Sequence, residues 1–397
     1  MTAERGAPVL EMRGLCVDYY TGGRPLRAVA DVDLVLHRGE VLGLAGESGG
    51  GKSSLAQAAV RLLREPGVVT GGEVLLHSRA ATAATTTTTI STAAAAPTGP
   101  VTAPDVVDLL TLGGRELRRV RWSQISIVPQ SALNALNPVI NVGKLLDDML
   151  KAHRRGMDRR DRRHRAGELL EMVGISRERQ GSYPHELSGG QRQRVMIALA
   201  LALEPQVVIL DEPTTALDVV TQRRILEELA RLQQELGFSM LFITHDLSLL
   251  IELADEIAVM YGGRIVERTT APKLFASPLH PYSQGLLRSF PSLHGDRQRM
   301  TGIPGAPPSL ESMPGGCTFH PRCAHATNRC SAEVPLLEAV TEVDHEVACF
   351  LHQHDGGPRK TFVVDPDALR EPATEPVSLH ARGSSSQPLS PRAGAGL

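Results

Sequence analysis

The chain alternates between two hydrophobic periods. From Val9 to Leu36, apolar and polar residues alternate in short runs (Leu10-Glu-Met-Arg, Leu15-Cys-Val-Asp-Tyr19, Ala28 to Leu36). This predicts antiparallel strands. Glu40-Val-Leu-Gly-Leu-Ala45 is an apolar run of strand length, and Ser54 to Leu63 carries apolar residues at helical spacing. Gly71 to His77 and Val106 to Leu110 predict two more strands, and Gln124 to Gln130 a buried strand that stops at Pro129. The pattern is helical from Asn141 to Ile175 and again from Gln191 to Leu203, where Glu204-Pro205 stops it. Val207 to Leu210 is a buried strand with acids at its end. Thr221 to Leu236 is an amphipathic helix ended by Gly237. Phe238 to Thr244 reads as a strand and Leu247 to Ala254 as a helix. Ile257 to Met260 and Arg264 to Glu267 form a hairpin through Tyr261-Gly-Gly263.

Three stretches break these periods. Residues 78–105 are almost wholly Ala, Thr, Ser, Pro and Gly, with a threonine run at 85–89, and predict a solvated insertion. Residues 291–354 turn to Pro, Gly, Cys and His, the texture of a small separate module. Residues 356–397 are Gly-, Pro-, Ser- and Arg-rich, the composition of a disordered tail. The expected organisation is a mixed α/β core over 9–290 with an antiparallel β subdomain and a helical subdomain at about 131–186. The cysteine-containing module follows.

Composition narrows the class. At 397 residues the chain can hold two or more cores. A formal net charge of -2 and 3% aromatic residues give no footprint for nucleic acid. No apolar run reaches the roughly 18 residues of a membrane span, and the first residues lack a signal core. A cytoplasmic protein is expected. The basic run Arg159-Arg-Asp-Arg-Arg-His-Arg165 fits a solvated helix face, or a contact with anionic lipid headgroups beside a membrane partner.

The chemistry starts at Gly46-Glu-Ser-Gly-Gly-Gly-Lys52-Ser53, which matches the phosphate-loop pattern Gly-x-x-x-x-Gly-Lys-Ser/Thr at each fixed position, between a strand and a helix. Glycines let backbone N–H groups curl round a polyphosphate, and the helix N-terminus adds positive potential. Lys52 would neutralise the outer phosphates and Ser53 would ligate Mg²⁺. Asp211, ending the strand Val207–Leu210, suits the same Mg²⁺, and Glu212 suits a general base for water. Leu187-Ser-Gly-Gly-Gln191 is a second anion cradle before a helix. One nucleotide needs one phosphate loop, so Ser188, Gly189, Gly190 and Gln191 are expected to close on a nucleotide held by another subunit. A plain helix cap would account for Ser188 but leave Gly-Gly-Gln unexplained.

In this order the motifs resemble the ATP-binding subunits of ABC transporters, over about residues 9–350. The resemblance implies an ATPase with ATP and Mg²⁺ bound by Gly46, Glu47, Ser48, Gly49, Gly50, Gly51, Lys52, Ser53 and Ser54. It implies Gln130 as the Q-loop glutamine at Mg²⁺ and the attacking water, and Glu212 as catalytic glutamate. It also makes His245 the switch histidine and Asp218 the D-loop acid at the dimer interface. Tyr19 falls where an aromatic stacks on adenine, with Tyr20 the alternative by one position. The stretches Tyr183 to Ala198, Asp211 to Asp218 and Leu279-His-Pro-Tyr-Ser283 look like the oligopeptide/dipeptide (and nickel) importer branch, whose C-terminal module typically reads like Gly316-Cys-Thr-Phe-His-Pro-Arg-Cys323. That implies a second ATPase subunit, two membrane permeases, an external solute-binding protein, and a place on the cytoplasmic membrane face. Import of nickel or another small solute, or a soluble non-transport ABC ATPase, are the alternatives. Gly50 stands where this branch commonly has serine, and Pro129-Gln-Ser-Ala-Leu-Asn departs from its usual Q-loop.

Four of five cysteines, Cys317, Cys323, Cys330 and Cys349, cluster at a spacing that is not that of a common zinc finger. Thiolates suit zinc or an iron–sulfur cluster, and four free thiols are the third reading. The resemblance implies a 4Fe–4S cluster of structural role. His320, His325 and His345 are weaker ligand candidates.

Overall fold

A computed structural model describes residues 6–78, 106–130, 135–215, 217–289, 302–340 and 345–353. The expected insertion beyond Ser78 and the tail from 356 lie outside the described residues. Strands β1 (Pro8–Tyr19), β2 (Leu26–His37), β4 (Gly67–His77) and β5 (Val106–Asp108) form an antiparallel sheet in the order β2-β1-β4-β5. The second sheet is built on β3 (Val41–Ala45), β6 (Ile125–Val128), β7 (Val207–Asp211), β8 (Ser239–Thr244) and β9 (Glu256–Tyr261). These five run parallel in the order β9-β3-β8-β7-β6. β10 (Arg264–Thr270), β12 (His345–Val347) and β11 (Glu338–Ala339) extend it antiparallel beyond β9. Part of the cysteine-containing segment is therefore paired into the same sheet as the P-loop strand.

Period-two alternation places two cores on the two faces of the parallel sheet. Leu42, Leu44, Val207, Ile209, Leu241 and Ile243 pack with the antiparallel sheet and helix α1 (Lys52–Ala59). Val208, Leu210, Met240 and Phe242 face the other way. There they meet α3 (Val142–His153), α4 (Arg159–Met172), α5 (Gly189–Leu201), α6 (Val219–Leu236) and α7 (Leu247–Leu253). A short helix, α2 (Gly114–Val120), precedes β6, and α8 (Ala271–Ala276), α9 (Pro281–Arg288) and α10 (Asn328–Ala332) follow β10.

The elements depart from the expected pattern in three places. The helix after the P-loop ends at Ala59 rather than Leu63, because Arg61 takes a positive φ of 54°. The helical stretch 141–175 is two helices, separated at Arg154 to Asp158, where Asp158 caps the second. Only Val106–Asp108 of the strand expected to Leu110 pairs with β4, and the Leu109 amide bends back to the Val74 carbonyl. Within the basic run, Arg162 pairs with Asp147 and Arg165 with Glu168 and Glu204. Among the described residues no helix is long and apolar enough to cross a membrane.

Candidate functional site

Strand register brings the candidate residues together. At the C-terminal edge of the parallel sheet, Ala45 lies beside Thr244, Ile243 beside Asp211, and Leu210 beside Val128. The segments leaving β3, β8, β7 and β6 thus carry the P-loop, His245, Glu212 and Gln130 to one edge, where such sheets bind ligands.

The P-loop follows from its glycines. Gly46 (φ 149°) and Gly51 (φ 98°) take conformations that L side chains rarely adopt, and a Cβ would collide with the Met260 carbonyl at Gly46 and the Ala28 carbonyl at Gly51. Gly50 has no such φ, so the serine common at this place in related P-loops demands no strained backbone there. Lys52 is 4% exposed, and its Nζ donates to the Gly46 carbonyl at 2.7 Å and to the Glu47 carbonyl at 2.9 Å. Burial lowers its pKa, against the pull of the Glu212, Asp211 and Glu47 carboxylates. Ser48 and Gly49 are exposed at the mouth of the loop.

The Ser53 hydroxyl donates to Asp211 Oδ1 at 2.9 Å. The other oxygen, Oδ2, is buried without a partner. Burial pushes Asp211 up to about 6; the Ser53 hydrogen bond and Lys52 oppose this, and the Glu212 carboxylate adds to it. A buried carboxylate oxygen lacking a partner, next to a hydroxyl, is a fitting arrangement for a hard cation that takes oxygen ligands.

Glu212 gathers the remaining candidates. Gln130 Nε2 donates to its Oε2 at 2.8 Å, the Thr215 hydroxyl donates to the same oxygen at 3.1 Å, and His245 Nδ1 lies 3.4 Å from Oε1. Glu212 has a φ of 47° and is 7% exposed. A non-glycine residue held at positive φ is a recurrent feature of active sites. Tyr19 ends β1 with its hydroxyl 2.9 Å from the Ser54 hydroxyl, whereas Tyr20 is half exposed.

The Ser188 turn is a reciprocal capping box. Its hydroxyl accepts from the Gln191 amide at 3.2 Å, and the Gln191 side chain accepts from the Ser188 amide at 3.0 Å. The cap therefore accounts for Gln191 as well as Ser188, which corrects the expectation from sequence. Gly189 and Gly190 sit tight against the D-loop and the helix it starts. A Cβ on them would stand 3.2 Å from Leu217 and 2.6 Å from Thr221. Asp218 is exposed and caps α6 by accepting from the Thr221 amide at 2.9 Å, and that hydrogen bond lowers its pKa.

Cys317, Cys323, Cys330 and Cys349 all line one small cavity of about 20 Å³, with His280, Phe319, His320 and His325. Burial raises the Cys317 and Cys323 thiols and pushes Cys349 up to about 12. Among the described residues no three His, Cys, Asp or Glu side chains stand close enough to hold one metal ion. His345 is engaged elsewhere, 2.7 Å from Glu267.

Two contacts reach the P-loop from far along the chain. The Glu47 amide donates to the Tyr282 hydroxyl at 2.8 Å, and the Glu47 carboxylate is paired with Arg322, 275 positions away. Tyr282 and Arg322 lie in the Leu279–Ser283 and Gly316–Cys323 stretches of the resemblance, neither of which points to a P-loop contact.

This parallel sheet, edged by a P-loop, an aspartate–glutamate strand end and a histidine, defines an ATP-binding cassette. Residues 29–215 match the ABC transporter family, and residues 266–330 match the oligopeptide/dipeptide transporter C-terminal region. A Brucella ovis protein, named as a peptide import ATP-binding protein, is 41% identical over 345 residues, covering 84% of this chain and 95% of that protein. A Brucella abortus protein of the same description is 41% identical over 333 residues, covering 83% of this chain and 92% of that one. The dimeric ATP-binding cassette MJ0796, in a post-hydrolysis state bound to ADP and Pi, aligns with a TM-score of 0.53 at 26% identity. It covers 66% of this chain and 98% of its own. The chain belongs to the ABC transporter family.

Proposed function

We propose that the chain hydrolyses ATP to drive import of peptides through separate membrane permeases. Each nucleotide would lie between the P-loop of one subunit and the Ser188 turn of a second. The observation that carries this reading is the convergence of Gln130 and His245 on Glu212, beside the Ser53–Asp211 pair.

The roles follow from placement. The P-loop amides and Lys52 bind the phosphates; Lys52 exchanges its two loop carbonyls for phosphate oxygens. Ser53 and Asp211 would hold Mg²⁺, which supplies charge neutralisation to the phosphates. Glu212 takes a proton from the attacking water, with Gln130 and Thr215 fixing one carboxylate oxygen and His245 beside the other. His245 also faces the terminal phosphate. Tyr19, tied to Ser54, gives the adenine a platform. Asp218, exposed beside the Gly189–Gly190 turn, belongs to the subunit interface. The core, antiparallel, helical and cysteine-bearing regions are assigned over 9–290 and 291–354, as read from sequence.

The partners are a second ATPase subunit, two permeases, and a solute-binding protein outside the membrane. The chain works peripherally on the cytoplasmic face. The peptide assignment draws on the names of the Brucella relatives and on the C-terminal match. Uptake tests it: reconstituted with its permeases and binding protein, the chain should support ATP-dependent accumulation of labelled peptides. Accumulation of nickel and not peptides would replace that assignment.

Cys317, Cys323, Cys330 and Cys349 would hold a 4Fe–4S cluster of structural role. What supports this reading is that all four thiols line one small cavity. Anaerobically purified protein should contain iron and sulfide; protein lacking both rejects the assignment.

A further inference from the structure

The hydrolytic roles above leave one ion pair on the P-loop unused. Arg322 sits in the turn His320–Arg322, between Cys317 and Cys323. Its guanidinium forks onto Glu47, Nη1 to Oε2 at 2.6 Å and Nη2 to Oε1 at 3.1 Å. The same Nη1 donates to the Tyr261 hydroxyl at 3.2 Å, and Nε donates to the Pro304 carbonyl at 2.9 Å. The Arg322 side chain is 6% exposed and that of Glu47 25%. The Glu47 amide is meanwhile fixed by Tyr282, whose ring packs 4.5 Å from Tyr261 and 5.4 Å from Phe319 between centroids. Residues from beyond β9 therefore hold Glu47 by both its backbone and its carboxylate.

Glu47 is the second residue of the loop that receives a polyphosphate. An unpaired carboxylate there would repel the ligand, and the carbonyl of the same residue is one of the two on which Lys52 rests. A bidentate arginine cancels the charge and fixes the orientation together, which a point charge cannot do. We propose that Arg322 is a positioning residue for the P-loop: acting through Glu47, it lets the cysteine-bearing segment set the affinity for nucleotide. The proposal rests on the ATP reading of the P-loop. It is independent of the transported solute and of what the cysteines hold.

The test is a double-substitution cycle in the full chain assembled with its permeases, reading Mg·ATP affinity directly alongside KM and kcat. Arg322→Gln should weaken ATP binding and raise KM about tenfold, with a smaller change in kcat. Arg322→Lys, which keeps the charge without the fork, should weaken binding about threefold. Adding Glu47→Gln to Arg322→Gln should recover most of the loss, because no carboxylate is left unpaired. A merely structural arginine predicts the opposite, a double variant no better than Arg322→Gln. That result overturns the proposal, as does unchanged affinity in folded Arg322→Gln. If Arg322→Gln does not fold, affinity in Arg322→Lys equal to that of the unsubstituted chain overturns it. Failure of the unsubstituted chain to bind ATP would instead overturn the ATP reading on which the proposal stands.

Discussion

The P-loop and the Ser188 turn are both glycine-containing turns at a helix N-terminus, yet the chain treats them differently. The P-loop is held in place from several sides. Lys52 lies nearly buried on the Gly46 and Glu47 carbonyls, Ser53 bonds Asp211, and Arg322 and Tyr282 fix Glu47. In the Ser188 turn Ser188 is exposed and Gly189, Gly190 and Gln191 are half-buried, and its polar groups satisfy each other in a capping box. Its glycines are required by close approach to Leu217 and Thr221 beside Asp218. The same local chemistry is thus built once as a loop held from several sides and once as a self-capped turn. That is the asymmetry expected if two chains share each nucleotide.

Lys52→Ala should have the largest effect on this contrast. Loss of the charge-assisted bonds to the phosphates should weaken ATP binding by about 10²–10³-fold, read by nucleotide titration. Near-normal affinity would mean that the pocket is not organised around Lys52. Ser188→Arg should separate the two cradles. ATP affinity of the isolated subunit should stay within about twofold, while turnover of the assembled transporter falls about 10²-fold. Loss of the cap should cost about 1 kcal/mol of stability, which thermal unfolding monitors. If affinity fell in step with turnover, the two turns would not act from different subunits.

The smallest effect concerns the region that holds Tyr282. His280 is buried and caps α9 by accepting from the Tyr282 amide at 3.0 Å. Burial lowers its pKa to about 4 from 6.5; Glu267 opposes the shift and His352 adds to it. The folded chain therefore binds fewer protons than the unfolded chain between pH 4 and 6.5. The stability due to neutral His280 is complete above about 6.5, is lost as pH falls toward about 4, and changes no further below that. Urea unfolding of His280→Asn should show a shallower pH slope across this window, by up to one proton. An unchanged slope would remove His280 from the account.

Motifs whose parts are close in sequence were legible before the structure. The P-loop, the Asp211–Glu212 strand end and the Ser188 turn are local patterns with a direct chemical meaning. The parallel strands were legible because each is a short apolar run bounded by turn residues. Arg322 was not, since nothing in Phe-His-Pro-Arg322-Cys323 points to a carboxylate 275 positions earlier. The pairing of β12 with β10 was hidden for a similar reason: His345–Val347 is too short to register as a strand without its partner. In sequence alone Gln191 fits an anion cradle as well as a cap, because the two share the same residue types.

In the proposed reaction Glu212 activates the water that attacks ATP. Glu212→Gln keeps the size and most hydrogen-bonding capacity of the side chain but cannot accept the proton. In the assembled transporter, the substituted chain should bind ATP as the unsubstituted one does, lower steady-state phosphate release by about 10²–10⁴-fold, and accumulate as a closed dimer with intact ATP. Phosphate release at the unsubstituted rate would contradict the assignment.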